Sequence, residues 1–333
     1  MKTRVVVISL LSLLLFCATG SPASAQGPCF LSQPWFWATP IPFGWFVPPV
    51  QGIIFLEIAA ATNNCAPPHA KDETCPTCPH GGKPISLATG DTFIQQTDVR
   101  LPGLGGGLAL TRTWNSRWPS SQAASSVGLF GPNWRSTYEE RVFMGGDGYL
   151  KYGRSDGSFW SFGLGRQGPF VVAAPANVAA TLAQQASYVA LTFENGEQRR
   201  FSLTTGQLTA ILDRNGNTTQ VSYDSSNRLS TVTDPASRHL YFNYSGSSVL
   251  VSSVTSDFGV TLSYTYDTSG RLTQITEPDS TTLSFTYNSH SQITQVTDSN
   301  GKVLETHTYD SSGRGLTSAQ ANGVNALTIT YPQ

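Results

Sequence analysis

Tyr266-Asp267-Thr268-Ser269-Gly270-Arg271-Leu272, followed by Ile275 and by Glu277-Pro278, is the stretch that decides the fold. It recurs. Tyr223-Asp224-Ser225-Ser226-Asn227-Arg228-Leu229 leads to Val232 and Asp234-Pro235, and Tyr309-Asp310-Ser311-Ser312-Gly313-Arg314 repeats the opening. Tyr223, Tyr244, Tyr266, Tyr287, Tyr309 and Tyr331 stand 21 or 22 residues apart, and Ser202 holds the tyrosine place one step earlier. A period of this length marks an array of supersecondary units, each burying its apolar face against its neighbours.

Within each unit one strand ends at the tyrosine. Leu240, Phe242 and Tyr244 alternate, as do Leu262, Tyr264 and Tyr266, or Leu283, Phe285 and Tyr287. Period two puts these on one face and Asn243, Ser263, Thr265, Ser284 and Thr286 on the other. The aromatic face needs a cover, supplied either by an N-terminal strap over residues 26–60 or by curling of the sheet. The second strand carries Leu208/Ile211, Leu229/Val232, Leu272/Ile275 or Ile293/Val296. Spacing of three means either that both faces are apolar or that the strand holds a bulge. Asp213 to Asn217, Asp234-Pro235 and Asp298 to Gly301 are turn chemistry, without the closing Glu of a calcium hand. The Asp after each tyrosine is suited to accept bonds from its turn. The tyrosine hydroxyls and the Arg228, Arg271 and Arg314 side chains are suited to tie units together. The other reading of that ladder is sugar stacking. About twelve strands at about 4.8 Å each exceed what an open twisted sheet tolerates without curling.

Ahead of the repeats, Lys83-Pro84-Ile85-Ser86-Leu87-Ala88-Thr89-Gly90-Asp91 leads to Thr97-Asp98-Val99-Arg100-Leu101-Pro102-Gly103. Thr111-Arg112-Thr113-Trp114-Asn115-Ser116 and Gly131-Pro132-Asn133-Trp134 follow in order. Thr92 to Leu101, Leu108 to Trp114, Tyr138 to Met144 and Leu150 to Gly153 read as strands. The Gly103–Gly107 run reads as a hairpin turn, since no Gly-Lys-Ser/Thr follows. Asn177 to Gln185, rich in Ala and Gln, suggests a short helix. Asn195-Gly196 marks a hairpin into the repeats.

The tyrosine period resembles the YD repeat of the Rhs family (rearrangement hot spot proteins), which includes insecticidal toxin-complex subunits and teneurins. Residues 82–165 resemble the N-terminal domain that precedes such repeats in Rhs and polymorphic-toxin proteins. The resemblance implies an all-β fold: an antiparallel β-hairpin repeat array, curved or spiralling into a partial shell, preceded by a β-rich N-terminal domain. The expected organisation is a signal peptide at 1–25, a Pro-, aromatic- and Cys-rich leader at 26–81, an Rhs-type N-terminal β domain at 82–201, and YD repeats at 202–333. In self-cleaving relatives paired Asp-Pro-x-Gly segments release a C-terminal toxin; Asp234-Pro235 and Glu277-Pro278 do not reproduce them. Tyr331, followed by Pro332 rather than Asp, is expected to close a strand at an open sheet edge.

Composition agrees with sheets and turns. Charged residues are 12 % of 333, with only two Met. Lys2 and Arg4, an apolar run from Val5 to Phe16, and Ala23-Ser24-Ala25 form a Sec-type export signal rather than a membrane anchor. Its removal leaves 18 basic and 21 acidic residues, net −3. That balance points to neither nucleic acid nor an anionic membrane as partner. Ile53 to Ile58 is too short to span a bilayer. Cys29, Cys65, Cys75 and Cys78 suit disulfides in an exported chain. Cys75 and Cys78, flanked by His69 and His80, also suggest zinc, but no second CxxC completes that site.

No His-Glu-x-x-His or phosphate loop occurs, and the one Gly-x-Ser-x-Gly spacing, Gly153-Arg154-Ser155-Asp156-Gly157, reads as the hairpin turn at Ser155 to Ser158 and not as a strand-to-helix nucleophile elbow. His239, His290 and His307 fall at different phases of the repeat. Glu139 and Glu140, placed on a strand, face opposite ways. The reading is an exported, non-enzymatic structural module without cofactor, secreted or at the cell surface, whose partner is a C-terminal toxin or other cargo outside this chain. The alternative is an adhesion module that binds a cell-surface glycan or protein through Trp35, Trp37 and Trp45 or through repeat tyrosines.

Overall fold

The structure, a computed structural model, describes residues 80–81, 83–118, 126–146, 149–164, 170–174 and 178–331. The expected signal peptide, residues 26–79 of the expected leader, and Cys29, Cys65, Cys75 and Cys78 lie outside them.

The described residues are almost entirely β. The first part is small pieces. β1 (His80–Gly81) pairs with β2 (Ile85–Ser86). β3 (Phe93–Leu101) and β4 (Leu108–Asn115) form a hairpin across a short 3-10 turn at Leu104–Gly106. β5 (Val127–Gly128) pairs with β6 (Gly131–Pro132), and β7 (Trp134–Ser136) adds to β4 to make a three-stranded sheet.

From β8 (Arg141–Met144) onward the chain forms one sheet of nineteen antiparallel strands in sequence order. β9 (Leu150–Gly153), β10 (Phe159–Leu164), β11 (Phe170–Ala174), β12 (Ala180–Gln184), β13 (Tyr188–Phe193) and β14 (Gln198–Ser202) lead without a break into the repeats. The repeats supply twelve strands, from β15 (Leu208–Leu212) to β26 (Leu327–Thr328). Residues 180–184 are strand and not the short helix that their composition suggests. All five pair with Val189–Phe193 of β13, so tertiary pairing overrides local propensity.

The sheet curls without closing edge to edge. Among the described residues no ladder joins β26 to β8. Instead β8 folds back against the start of β15: Arg141 bridges Gln207, and the Val142 amide donates to the Gly206 carbonyl at 2.8 Å. The first eight strands of the sheet thus make a ring, and the remaining repeats continue past it.

The spacing-of-three question resolves as a bulge. In β16 (Thr218–Tyr223) against β17 (Leu229–Thr233), Ser222 pairs Thr231 but Tyr223 pairs Leu229. The extra residue, Ser230, turns Leu229 and Val232 to the same side, where they are 2 % and 0 % exposed. The same slip recurs at Asn243/Tyr244, Thr265/Tyr266, Thr286/Tyr287 and Thr308/Tyr309. Every unit therefore aims both its apolar pairs inward, and the outer face stays polar.

The inward face is covered by residues 83–118 and 126–140. Phe130 meets Tyr264 with ring centroids 4.7 Å apart, Trp134 meets Phe285 at 5.4 Å, and Tyr138 meets Phe242 at 6.3 Å. The strap expected over residues 26–60 lies outside the described residues; the cover seen is the block that follows it. Trp114, Trp134, Phe130 and the inward residues of the repeats share one core. Aromatic side chains of this size dominate the burial energy of a core.

Candidate functional site

The functional geometry of this molecule is the repeat ladder and the joint between it and its cover. A bulge disrupts the hydrogen-bond ladder, and two side chains repair it. The Tyr223 hydroxyl donates to the carbonyl of Leu208, the residue that opens the preceding bulge, at 2.8 Å. Tyr244, Tyr266, Tyr287, Tyr309 and Tyr331 do the same to Leu229, Val251, Leu272, Ile293 and Gly315, at 2.6–2.8 Å. The bulge residue itself, Thr209, Ser230, Ser252, Thr273 or Thr294, turns its hydroxyl back onto a carbonyl of the neighbouring strand at 3.0–3.2 Å. A hydroxyl at that place in five successive units is a signal the sequence carries; it is legible only once the bulge is known.

The residue after the tyrosine organises the turn. Asp224 Oδ1 accepts the amides of Ser226 and Arg228 at 2.8 and 2.9 Å, and its Oδ2 accepts Arg228 Nε at 2.8 Å. Asp267 with Arg271 and Asp310 with Arg314 repeat this at 2.7 Å for the ion pair. These carboxyls sit below the usual range; burial opposes the shift at Asp267 and Asp310, while the turn amides and the arginine drive it. The turn closes on a left-handed residue: Asn227 at φ 59°, Gly270 at 74°, Gly313 at 78°. That conformation explains the glycine of the motif. Each arginine then reaches forward. Arg228 lies over the Tyr244 ring at 4.5 Å, Arg271 over Tyr287 at 5.0 Å and Arg314 over Tyr331 at 4.1 Å. So every tyrosine bonds backward, and the units that carry Arg228, Arg271 and Arg314 also reach forward through that arginine; those that begin at Tyr244 and Tyr287 have none. Tyr331 bonds this way although the last strand, β26, is only two residues long and ends before it.

The cover is locked to the repeats by singular contacts. Arg112, fully buried, donates to both oxygens of Asp98 at 2.5 and 2.7 Å and to Gln96 at 3.0 Å. The Tyr264 hydroxyl, from β20 (Thr261–Tyr266), donates to the same carboxylate at 2.7 Å. The guanidinium also lies 4.9 Å from the Trp134 ring. The pair opposes its own burial: the Asp98 charge holds the Arg112 proton on although desolvation pulls the other way. Farther along, the Gly315 amide donates to the Gly90 carbonyl, and Ser116 Oγ lies 3.3 Å from the Gly313 carbonyl. Beside them Asp91 is buried, and desolvation pushes its carboxyl up to about 7. Asp98, Arg112, Trp114, Ser116 and Trp134 all belong to the ordered motifs of residues 82–135. The motifs announce these residues; the partners, in repeats far along the chain, leave no local sign.

Other candidates resolve separately. Glu139 and Glu140 sit in the turn before β8, not on a strand. Glu140 faces Arg199 at 3.2 Å, and Glu139 accepts the Leu129 amide at 2.6 Å. Burial raises both carboxyls. They do not work as an acid/base pair, since each is held by its own partner. His239 meets Asp257 at 2.8 Å on the outer face, His290 is exposed in a turn, and His307 is buried beside Glu305. Among the described residues no three metal-ligating side chains gather. Cys29, Cys65, Cys75 and Cys78 fall outside them.

The fold and ladder define a repeat-built β-sheet module. Two families match the chain: one described as RHS Repeat, over residues 204–239, 250–282 and 266–303, and one described as Domain of unknown function (DUF6531), over residues 82–162. The repeats over residues 204–303 are thus of the RHS/YD type. It is similar to the tRNA nuclease WapA of Bacillus subtilis (strain 168), 28 % identical over 145 residues, which is 44 % of this chain and 6 % of the relative. It is also similar to the tRNA3(Ser)-specific nuclease WapA of Bacillus spizizenii, 29 % identical with the same coverage. This chain therefore matches only a small part of the length of these relatives. Among solved structures, TcdB2-TccC3-Cdc42 aligns with 72 % of this chain and 14 % of its own, at 13 % identity and a TM-score of 0.31. TcdB2-TccC3-TEV aligns with 69 % and 15 %, at 11 % identity and a TM-score of 0.30.

Proposed function

We propose that this chain is a non-enzymatic wall and end-cap of an exported Rhs shell, which holds a toxin or other cargo. The observation that carries the reading is the shared core. The inward faces of the repeats pack onto residues 83–118 and 126–140, which gives the curled sheet a filled end where a cover would be needed. In this reading the nuclease activity named for the WapA relatives belongs to parts of those proteins outside the matched segment. Export rests on the basic, apolar and Ala-Ser-Ala pattern of residues 1–25.

The test has two arms. Expressed in a bacterial host with its own N-terminus, the chain is expected outside the cytoplasm, with mass spectrometry placing its first residue just after Ala25. Retention with Met1 intact contradicts export. Purified chain incubated with total tRNA is expected to leave it whole; cleavage that survives repurification contradicts the non-enzymatic reading.

A second reading, adhesion, has one observation in its favour. On the outer face His239 and Tyr241 stack with ring centroids 5.6 Å apart and planes within 10°, and Tyr241 is 37 % exposed. Binding on a glycan array that disappears in Tyr241→Ser supports it, and a blank array counts against it.

A further inference from the structure

Where β8 folds back on β15, the sheet, its cover and the first repeat turns leave a pocket of about 240 Å³. It is below the usual size for a drug-like ligand and suits a group as large as a monosaccharide or a dipeptide. Its floor is the turn carrying Glu139 and Glu140. Its walls are Tyr138, Tyr223, Leu129 and Leu229, and Val127 and Val249, 46 % and 60 % exposed, line it as well. Ser226 and Asn227 of the first repeat turn add polar side chains to the lining.

The charges in this pocket can be matched one by one. Glu140 is taken by Arg199 at 3.2 Å, and Arg228 by Asp224 at 2.8 Å. Arg135 and Glu139 act on each other as opposite charges. That leaves Arg141. Its guanidinium has no hydrogen bond or ion pair among the described residues; its one contact of note is the Phe143 ring at 5.4 Å. Arg141 is an exposed residue of the lining, open to a ligand from solvent, and no carboxylate is among the groups that act on its charge. A guanidinium in this setting is a planar fork of donors suited to two carboxylate oxygens.

We propose that this pocket binds a ligand bearing one carboxylate on a small, partly apolar body, with Arg141 as the anion's partner. One unmatched positive charge selects a monoanion: a phosphate dianion would bring a second negative charge beside Glu139 and Glu140 without a counter-ion. The valines and tyrosine rings select against a bare inorganic ion. An acidic sugar or an acidic peptide side chain carries this chemistry.

The full chain is titrated by isothermal calorimetry with glucuronate and with the C-terminal amide of N-acetyl-valyl-glutamate, whose side chain is its one carboxylate. Glucose, the C-terminal amide of N-acetyl-valyl-glutamine and inorganic phosphate serve as comparisons. At least one carboxylate is expected to bind tenfold or more tighter than its uncharged counterpart and than phosphate, and the one that binds assigns the source. Arg141→Gln is expected to abolish the preference, Arg141→Lys to weaken it several-fold, and Lys302→Gln, in a remote turn, to leave it unchanged. Circular dichroism reports whether each variant is folded; should Arg141→Gln fail to fold, Arg141→Lys carries the test. The proposal is overturned by equal binding of charged and uncharged probes, by phosphate binding as tightly, by no binding of either carboxylate, or by a folded Arg141 variant that binds as wild type.

Discussion

The repeats and their cover solve the same problem, a buried polar backbone next to aromatic side chains, in opposite ways. In the repeats each bond is local and recurs. Asp reaches the arginine four residues on, and tyrosine reaches a carbonyl 15 or 16 residues back. Between the cover and the repeats the bonds are long-range and each occurs once: 166 residues from Tyr264 to Asp98, 197 from Ser116 to Gly313, and 235 from Lys83 to Ser318. A repeated bond can be lost at one rung while the others hold, because stability in such arrays is shared among near-equal interfaces. A singular buried bond has no substitute. The regular part therefore supplies extent, and the irregular part fixes where the sheet curls and what fills it.

This contrast orders the expected effects of mutation. Asp98→Ala leaves the Arg112 charge buried without its partner. Loss of roughly 3–5 kcal/mol is expected in urea or guanidinium unfolding, and a loss below about 1 kcal/mol would place the joint among the redundant contacts.

Asp91 tests the joint through pH. Its folded carboxyl is raised from 3.8 to about 7. A raised folded value means that the protonated form is the stabilising one. Its contribution is complete below the unfolded value near 4 and is lost as pH rises through about 7. Asp91→Asn is therefore expected to stabilise the protein at pH 8, by up to about 4 kcal/mol, and to flatten the pH dependence between about 4 and 7. Parallel curves for the two proteins would contradict this.

Smaller effects belong to the ladder. Tyr266→Phe removes one hydroxyl from one rung and is expected to cost about 1 kcal/mol, measured by the same unfolding. Arg271→Ala breaks a half-exposed pair with Asp267 and a ring contact with Tyr287, and at most about 1 kcal/mol is expected after solvent screening. Were either rung as costly as Asp98→Ala, the distinction between shared and singular contacts would fail.

The same contrast explains what could be read from the sequence. The all-β repeat array follows from the tyrosine period and the alternation around it, since those features are local. The bulge was open on sequence alone: Leu229 and Val232 fit two strand geometries, and only the register of Tyr223 against Leu229 decides. The cover was legible as motifs but not as a cover, because Arg112 and Asp98 complete their network with Tyr264, which nothing near them in sequence indicates. Residues 180–184 look helical by composition and become strand because β13 offers a full ladder. Arg141 carries no motif; its isolation comes from where β8 folds back.

The central claim is that cover and repeats form one cooperative unit. Hydrogen exchange followed by mass spectrometry tests it most directly, by comparing peptides from residues 93–118 with peptides from residues 229–298. The account predicts that the slowest amides of both regions open with the same free energy, and that Asp98→Ala lowers both together. A cover that exchanges freely while the repeats stay protected would contradict it.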